Sequence, residues 1–186
     1  MEQNKDLPLE LQEIEEVKKE EEIKEEAKET PQHFNFLQKL LVNYAKYLQG
    51  KGTQQPEPNI PTMLIEYNIS LSDFVKAAII NKDSSDTDVI EAFVDCSYKF
   101  FSIICTQAPQ FFEQGHKGMN LLYDDIVNNK PETNDLVFSM LRIETEERVN
   151  IFIQYAMCYA ILKNIQPDVT ERDIELIFNF KLKNLK

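Results

Sequence analysis

The stretch 145–164 constrains the fold of this chain more than any other, because its apolar residues recur at three- and four-residue steps. That spacing is typical of one buried face of an α-helix. Other bulky apolar residues flank the face, so we expect the helix to meet neighbours on most of its circumference. Thr145 suits the N-cap and Lys163 the last turn. The face comprises Val149, Phe152, Ile153, Ala156, Met157, Ala160 and Ile161.

Helical spacing continues beyond residue 30, without the alternation that marks strands. The first predicted helix has Thr30 as its cap and Pro31 at its first position, and it ends near Gly50. Gly115 and Gly118 are expected to break the chain. A short helix is expected from Pro61 to Glu66, and another begins at Ser70 or Ser72. A longer helix is expected over 88–107, with Ser85, Asp86 or Thr87 as its cap, followed by one over 119–127 that ends at the run N-N-K-P. The last two predicted helices begin after Thr133 or Asn134 and after Thr170. The sequence thus predicts an all-α fold, an irregular multi-helix bundle of about seven or eight helices.

Acidic residues are concentrated at the start of the chain. Residues 1–30 hold twelve Asp and Glu against five Lys, a balance of −7, and the whole chain has a formal charge of −12, which leaves −5 for the rest. We predict that 1–30 is an acidic tail, disordered or a frayed helix; an amphipathic segment that folds on a partner is the alternative. Residues 31–186 form the predicted helical domain, with a flexible Gly- and Pro-rich loop at 50–60.

Composition disfavours several classes of protein. The chain has only 4 glycines and no glycine-rich loop that could cradle a phosphate, which disfavours nucleotide-binding folds. The mildly acidic body disfavours tight unaided binding to nucleic acid. No secretory signal or organelle presequence is recognisable, and no apolar run reaches the ~20 residues that span a bilayer. Three cysteines in apolar helical patterns fit a reducing compartment, so we expect a nuclear or cytoplasmic location and no membrane association.

Catalytic and metal-binding patterns are sparse. The two histidines, His33 and His116, are far apart, and no paired Cys or His spacing suggests zinc. Cys96, Cys105 and Cys158 lie in apolar patterns, where burial raises the pKa of a thiol and suppresses its reactivity. We therefore predict a chain that is not an enzyme and that has no catalytic residues, no cofactor and no metal.

The stretch from Val169 to Lys186 reads V-T-E-R-D-I-E-L-I-F-N-F-K-L-K-N-L-K. It resembles the turn and recognition helix of homeodomains, typically L-T-E-R-Q-V-K-I-W-F-Q-N-R-R-M-K-W-K. The identical residues are Thr170, Glu171, Arg172, Phe178 and Lys186, and those similar in type are Val169, Ile174, Leu176 and Lys181. The resemblance implies contact with DNA through this helix, for which Lys181, Lys183 and Lys186 are the candidates.

Three positions depart from the homeodomain pattern. The base-reading Asn of that family corresponds to Phe180, its core Trp to Ile177, and one backbone-contacting Arg to Leu182. A Phe cannot make the bidentate contact with adenine that Asn makes. The helix therefore keeps the packing pattern of the family and loses its base reader.

A degenerate homeodomain-like helix in a small chain without a catalytic motif is similar to homeobox-like accessory subunits of ciliate DNA N6-adenine methyltransferase complexes. That resemblance implies a non-catalytic subunit beside a catalytic methyltransferase, an inactive paralogue and a DNA-binding homeobox-like protein. We predict a helical interaction or scaffold subunit of a multi-protein complex that touches DNA at most weakly or through its partners. A degenerate homeobox-like DNA-binding accessory protein is the alternative.

Aromatic residues are the candidate anchors for a protein partner, provided that several of them are exposed together. The alternative is that a helical body of this size needs them in its interior. The candidates are Phe34, Phe36, Tyr44, Tyr47, Phe111, Phe112, Phe178 and Phe180.

Overall fold

The structure is a computed structural model that describes residues 32–51, 59–80, 85–107, 110–143 and 148–184. Within these ranges the chain forms seven α-helices and no strand, so the predicted all-α multi-helix bundle is confirmed for the described residues. The helices are α1 (Asn35–Gly50), α2 (Ile60–Val75), α3 (Asp86–Gln107), α4 (Gln110–Asn129), α5 (Thr133–Leu141), α6 (Arg148–Ile165) and α7 (Glu171–Asn184), and a π-helical turn, Lys76–Ile80, continues α2. The predictions for the tail 1–30, for Thr145 and for most of the loop 50–60 lie outside the described residues.

The helix α6 lies at the centre of the core. Most of its residues from Ile151 to Leu162 are buried, and it packs against α3, α4 and α5. Its contact with α3 is both aromatic and polar. The rings of Phe93 and Tyr155 lie 5.4 Å apart, and the Tyr155 hydroxyl is 2.7 Å from the Ser97 hydroxyl. The expected burial is confirmed for most of 151–162, and so is the packing of this helix against 88–107.

Reciprocal side-chain caps begin α3 and α7. The Ser85 amide donates to Asp88 Oδ2 at 2.9 Å, and the Asp88 amide donates to Ser85 Oγ at 3.2 Å. Thr170 and Asp173 make the same pair of bonds at 2.9 and 3.3 Å. These hydrogen bonds hold the pKa of both carboxyls below its usual value. Such pairs provide acceptors for amides in the first turn of a helix, so Thr170 is the predicted cap and Ser85 is the cap among the three candidates for α3.

The helix α2 is continuous where the sequence predicted two helices. Asn59 caps it by accepting a hydrogen bond from the Thr62 amide at 3.2 Å. Ser70 and Ser72, the predicted start of a second helix, instead donate their hydroxyls to carbonyls one turn earlier, at 3.1 and 3.0 Å. A serine bonded in this way lies within a helix and does not begin a new one.

The helix α4 also continues through the two glycines that were predicted to break the chain. A Cβ on Gly118 would meet nothing within 4 Å, whereas a Cβ on Gly115 would lie 2.4 Å from the Phe152 ring of α6. The prediction is wrong because Gly115 serves the close approach of two helices, which is another use of a missing side chain.

The helix α4 ends at the predicted run N-N-K-P, but the next helix begins earlier than predicted. Lys130 has a φ of 47°, and its amide donates to the Ile126 carbonyl at 2.8 Å, which closes α4. Thr133 and Asn134, the predicted caps of the next helix, lie inside α5, and Glu132 precedes it without a side-chain cap bond. The predicted cap is therefore wrong by one or two residues.

The helix α1 begins at Asn35, four residues after the predicted first position Pro31. Phe34 precedes it in a non-helical conformation, with φ −114° and ψ 18°. The Phe34 amide donates to Asn120 Oδ1 at 3.2 Å, and His116 Nε2 lies 2.9 Å from the Phe34 carbonyl oxygen. Because both backbone groups of Phe34 are bound to α4, this residue stays outside the helix.

Candidate partner-binding surface

The eight predicted aromatic anchors occupy different environments. Tyr47 is half-buried with the Lys51 ammonium 5.2 Å from its ring centroid, and the Phe111 side chain lies outside the described residues. Phe180 is 69% exposed. The other five are buried in the core: Phe34, Phe36, Tyr44, Phe112 and Phe178. The condition that the anchors are exposed together is not met for these five, and Phe180 is the one predicted anchor whose described ring is largely open to solvent.

Four of the five buried rings, those of Phe34, Phe36, Tyr44 and Phe178, contact an aromatic ring on another helix. Phe34 lies 5.0 Å from the ring of Tyr159 on α6, and Phe178 stacks on Tyr98 of α3 at 4.4 Å between centroids. Aromatic pairs at such separations add stability beyond the burial of their area. Packing, the alternative stated from the sequence, therefore accounts for these five residues.

The inner side of α7 is tightly held against α3. Ile174 and Phe178 are buried, and the Tyr98 hydroxyl donates to the Phe178 carbonyl. Burial raises the pKa of Tyr98, so the hydroxyl keeps its proton and remains a donor. The helix is thus fixed in its rotation about its own axis, which determines the residues that point outward.

The lysines that the homeodomain resemblance assigned to DNA have different surroundings. Lys181 Nζ lies 2.8 Å from Asp95 Oδ1 and 3.4 Å from Glu91 Oε2, so its charge is offset within the chain. Lys183 is exposed and forms no ion pair with another described residue. Lys186 lies outside the described residues. Of the two described lysines, Lys183 presents its charge outward.

A second helix, α1, packs along α7 in parallel. Lys39 Nζ lies 3.4 Å from Glu175 Oε1, and Asn43 Nδ2 donates to Asn179 Oδ1 at 3.0 Å. Both contacts advance by four residues on each helix, so the two helices run in the same direction with a fixed register.

The side of α7 that faces away from α3 carries two exposed apolar residues. Leu176 is 59% exposed and Phe180 is 69% exposed, and residues four apart are neighbours on a helix surface. Arg172 lies one turn before Leu176 and Lys183 about one turn after Phe180, and both are exposed. These four residues, Arg172, Leu176, Phe180 and Lys183, form what we call the outer face of α7.

The helix α1 extends this surface. Val42 is 50% exposed and immediately precedes Asn43, which contacts α7. Successive helical residues point about 100° apart, which places Val42 on the outward side of the contact between α1 and α7. Lys46 is exposed one turn later, at about the level of Lys183 in the parallel register.

Sequence reasoning missed most of this surface. The spacing of Leu176 and Phe180, on the opposite side of the helix from Ile174 and Phe178, was a readable signal. The contribution of Val42 was not readable, because it depends on a contact between helices that are distant in the sequence.

The Cys158 thiol is buried, and both histidines contact residues of another helix or of the segment before α1. Burial, and then the neighbouring Cys96, raises the pKa of the Cys158 thiol well above its usual value. His116 joins α4 to Phe34, and His33 Nε2 lies 2.7 Å from Asp124 Oδ1.

Among the described residues, no group of three or more His, Cys, Asp or Glu is placed to hold a metal ion. In that same part of the chain, no helix is long and apolar enough to cross a membrane.

An open groove of about 450 Å³ lies between α6 and the connection from α4 to α5. Lys130 and Glu132 both line it, together with Tyr123, Thr133 and Asn164. Because its two charged side chains have opposite signs, the groove has no clear preference for an anion or a cation. The outer face of α7 is therefore the better candidate for a binding surface.

Comparison with known proteins gave no match. No protein-family model, no curated protein and no solved structure matches this chain. The homeodomain resemblance, and with it the link to a DNA adenine methyltransferase complex, stays a prediction.

Proposed function

We propose that this chain is a non-catalytic helical subunit that binds another protein of a larger complex through the outer face of α7. The observation that carries the proposal is the exposure of Leu176 and the aromatic Phe180 side by side, with an exposed cation, Arg172 or Lys183, about one turn beyond each. Fully burying one such side chain contributes about 1.5–3 kcal/mol, so covering the exposed parts of both would contribute about 2–4 kcal/mol. A few central residues carry most of the binding energy of a protein interface, and two neighbouring exposed side chains could supply such a centre.

The rigidity of α7 supports the proposal. The buried residues Ile174 and Phe178 hold its inner side, and Lys181 holds one flank through two carboxylates. A surface that is already ordered loses less conformational entropy on binding, so more of the contact energy appears as affinity.

A DNA-binding role through α7 is the second hypothesis from the sequence, and the surroundings of the helix disfavour it. Glu91 and Asp95 offset the charge of Lys181 and would repel an approaching phosphate backbone. At Phe180, where the homeodomain pattern has its base reader, the exposed ring has no hydrogen-bonding group. Membership of a DNA adenine methyltransferase complex is compatible with a protein-binding subunit, and the choice between nucleus and cytoplasm stays a prediction.

The proposal is tested by affinity capture of the tagged full chain from the cells that naturally express it, followed by quantitative mass spectrometry. The test variant is L176Q/F180Q. The control is I65Q/I69Q on α2, because Ile65 and Ile69 have the same four-residue spacing and are 59% and 55% exposed. We expect stoichiometric partners to fall at least about tenfold with the test variant, which corresponds to about 1.4 kcal/mol, and to remain with the control.

Melting temperatures of both variants are measured first, so that a loss of folding is not mistaken for a loss of binding. If the test variant folds and recovers the same proteins in the same amounts as the unmodified chain, the proposed function is wrong. Equal losses from both variants would also contradict it, because the effect would then not belong to α7.

A further inference from the structure

Three cations border the apolar pair on the outer surface of α1 and α7. Arg172, Lys183 and Lys46 are exposed, and none of them forms an ion pair with another described residue. Two further lysines near this surface, Lys39 and Lys181, are paired with carboxylates of the chain. We call these three cations the positive frame of Leu176 and Phe180. Glu171 and Asp173 lie in the first turn of the same helix, and Arg172 interacts electrostatically with Asp173, so the frame is less positive at its Arg172 end than at Lys183 and Lys46.

The spacing of this frame matches a short helix. Arg172 and Lys183 are eleven residues apart on α7, which is ~16 Å at the α-helical rise. The two apolar residues lie between them and span about one turn. A partner helix of three turns laid along α7 would place its central apolar residues on Leu176 and Phe180 and its ends beside the two cations.

We propose that the element bound by the outer face of α7 is an acidic amphipathic helix of a partner protein. This inference rests on the proposed function and adds the chemistry of the partner. The helix has two apolar residues four positions apart and a carboxylate about one turn outside each of them. Its carboxylates approach Arg172 at one end, and Lys183 and Lys46 at the other.

The arrangement favours a helix over nucleic acid for a physical reason. The apolar pair occupies the centre of the surface and the cations its ends, which is the pattern of an apolar core with a polar rim at protein interfaces. A phosphate backbone would need cations along its whole path, and it would leave Leu176 and Phe180 without a partner. Charges on the rim add selectivity and speed of association more than affinity.

The inference is tested with a synthetic probe and the full chain. The probe is a fluorescein-labelled, Ala-rich peptide, stapled on its distal face to keep it helical, with Leu at two positions four apart and Glu one turn outside each. Matched peptides carry Gln or Lys in place of Glu. We expect the Glu peptide to bind about three- to tenfold tighter than the Gln peptide by fluorescence anisotropy, and the Lys peptide to bind more weakly than either. The difference should shrink as salt is raised.

Charge reversal in the protein provides the decisive comparison. The variant R172E/K183E should reverse the preference, so that the Lys peptide binds tighter than the Glu peptide. The control K117E/R142E replaces one Lys and one Arg that are exposed elsewhere on the chain, with the same change in net charge. The control should keep the preference for the Glu peptide, because its reversed charges lie outside the α1–α7 surface.

Three results would overturn the inference. The first is equal binding of the Glu, Gln and Lys peptides, and the second is an equal effect of R172E/K183E and K117E/R142E. The third is a short duplex DNA that binds more tightly than the Glu peptide and depends on Arg172 and Lys183. Failure here differs from failure of the proposed function. If R172E/K183E retains the cellular partners that L176Q/F180Q loses, the partner-binding role stands and the acidic-helix inference is wrong.

Discussion

Replacing Gly115 with Ala tests the close approach of α4 and α6. The added Cβ would lie 2.4 Å from Cδ1 and Cε1 of Phe152 and 2.6 Å from Cζ, far inside the ~3.5–4.0 Å of a favourable carbon contact. The ring cannot move aside freely, because Phe152 is buried and packs edge-on against Phe100 at 5.3 Å. Overpacking of a core costs about 1–3 kcal/mol, and three short contacts place this site near the upper end. The higher helix propensity of alanine offsets about 1 kcal/mol of this cost, so we expect the free energy of unfolding to fall by about 1–2 kcal/mol.

The matched control is Gly118→Ala, three residues later in the same helix. Nothing lies within 4 Å of the position that its Cβ would take, so only the gain in helix propensity remains. We expect the control to raise the free energy of unfolding by about 0.5–1 kcal/mol. The same chemical change should therefore have opposite signs at two sites on one helix.

Urea denaturation followed by far-UV circular dichroism measures both variants, with unchanged m-values as the condition for comparison. The variant F152L in the Gly115→Ala background should show a favourable coupling of about 0.5–3 kcal/mol, because the smaller side chain relieves the contact. Stabilisation of the same size at both glycines, or no coupling with Phe152, would refute the account of α4–α6 packing.

Three further predictions concern stability. Asn120→Ala should lower the free energy of unfolding by about 1–3 kcal/mol in urea titrations, because it leaves the buried amide of Phe34 without an acceptor; a loss within error would contradict this. Lys181→Gln should cost at most about 1 kcal/mol by the same assay, since its partners are about half exposed, and a larger loss would show that the ion pairs do more than we infer. Asp88 and Asp173 have a lowered pKa in the folded chain, so their contribution is present above the unfolded pKa of about 3.9 and is lost as pH falls through the folded pKa. The variant D88A/D173A should therefore show a shallower fall of melting temperature in that acidic window, and an unchanged slope would argue against the two caps.

Local patterns were readable from the sequence, and distant contacts were not. The helix pair α3 and α6 was predicted from helical spacing, and Thr170 was predicted as a cap with Asp173 three residues on. Ser85 was one of three candidates at the start of α3, although Asp88 lies at the same distance from it. Gly115 was misread because its neighbour Phe152 is far along the chain, and the start of α1 was misread because Asn120 holds Phe34 from a distance of 86 residues.

The candidate surface also contains a part that the sequence could predict and a part that depends on distant contacts. Phe180 was predicted as an anchor, and its neighbour Leu176 lies at a spacing that a helical projection would reveal. The burial of Phe34 could not be foreseen, because an aromatic side chain suits a core and an interface equally well. Tertiary packing decides which of the two it serves.

The pairing of α1 with α7 also has a consequence during protein synthesis. Its two side-chain contacts, Lys39–Glu175 and Asn43–Asn179, each join residues 136 positions apart. A nascent chain on the ribosome therefore cannot assemble the surface until α7 has emerged, long after α1 has been made. Recruitment through this surface would select chains whose translation has passed α7, and truncated products would be left without a partner.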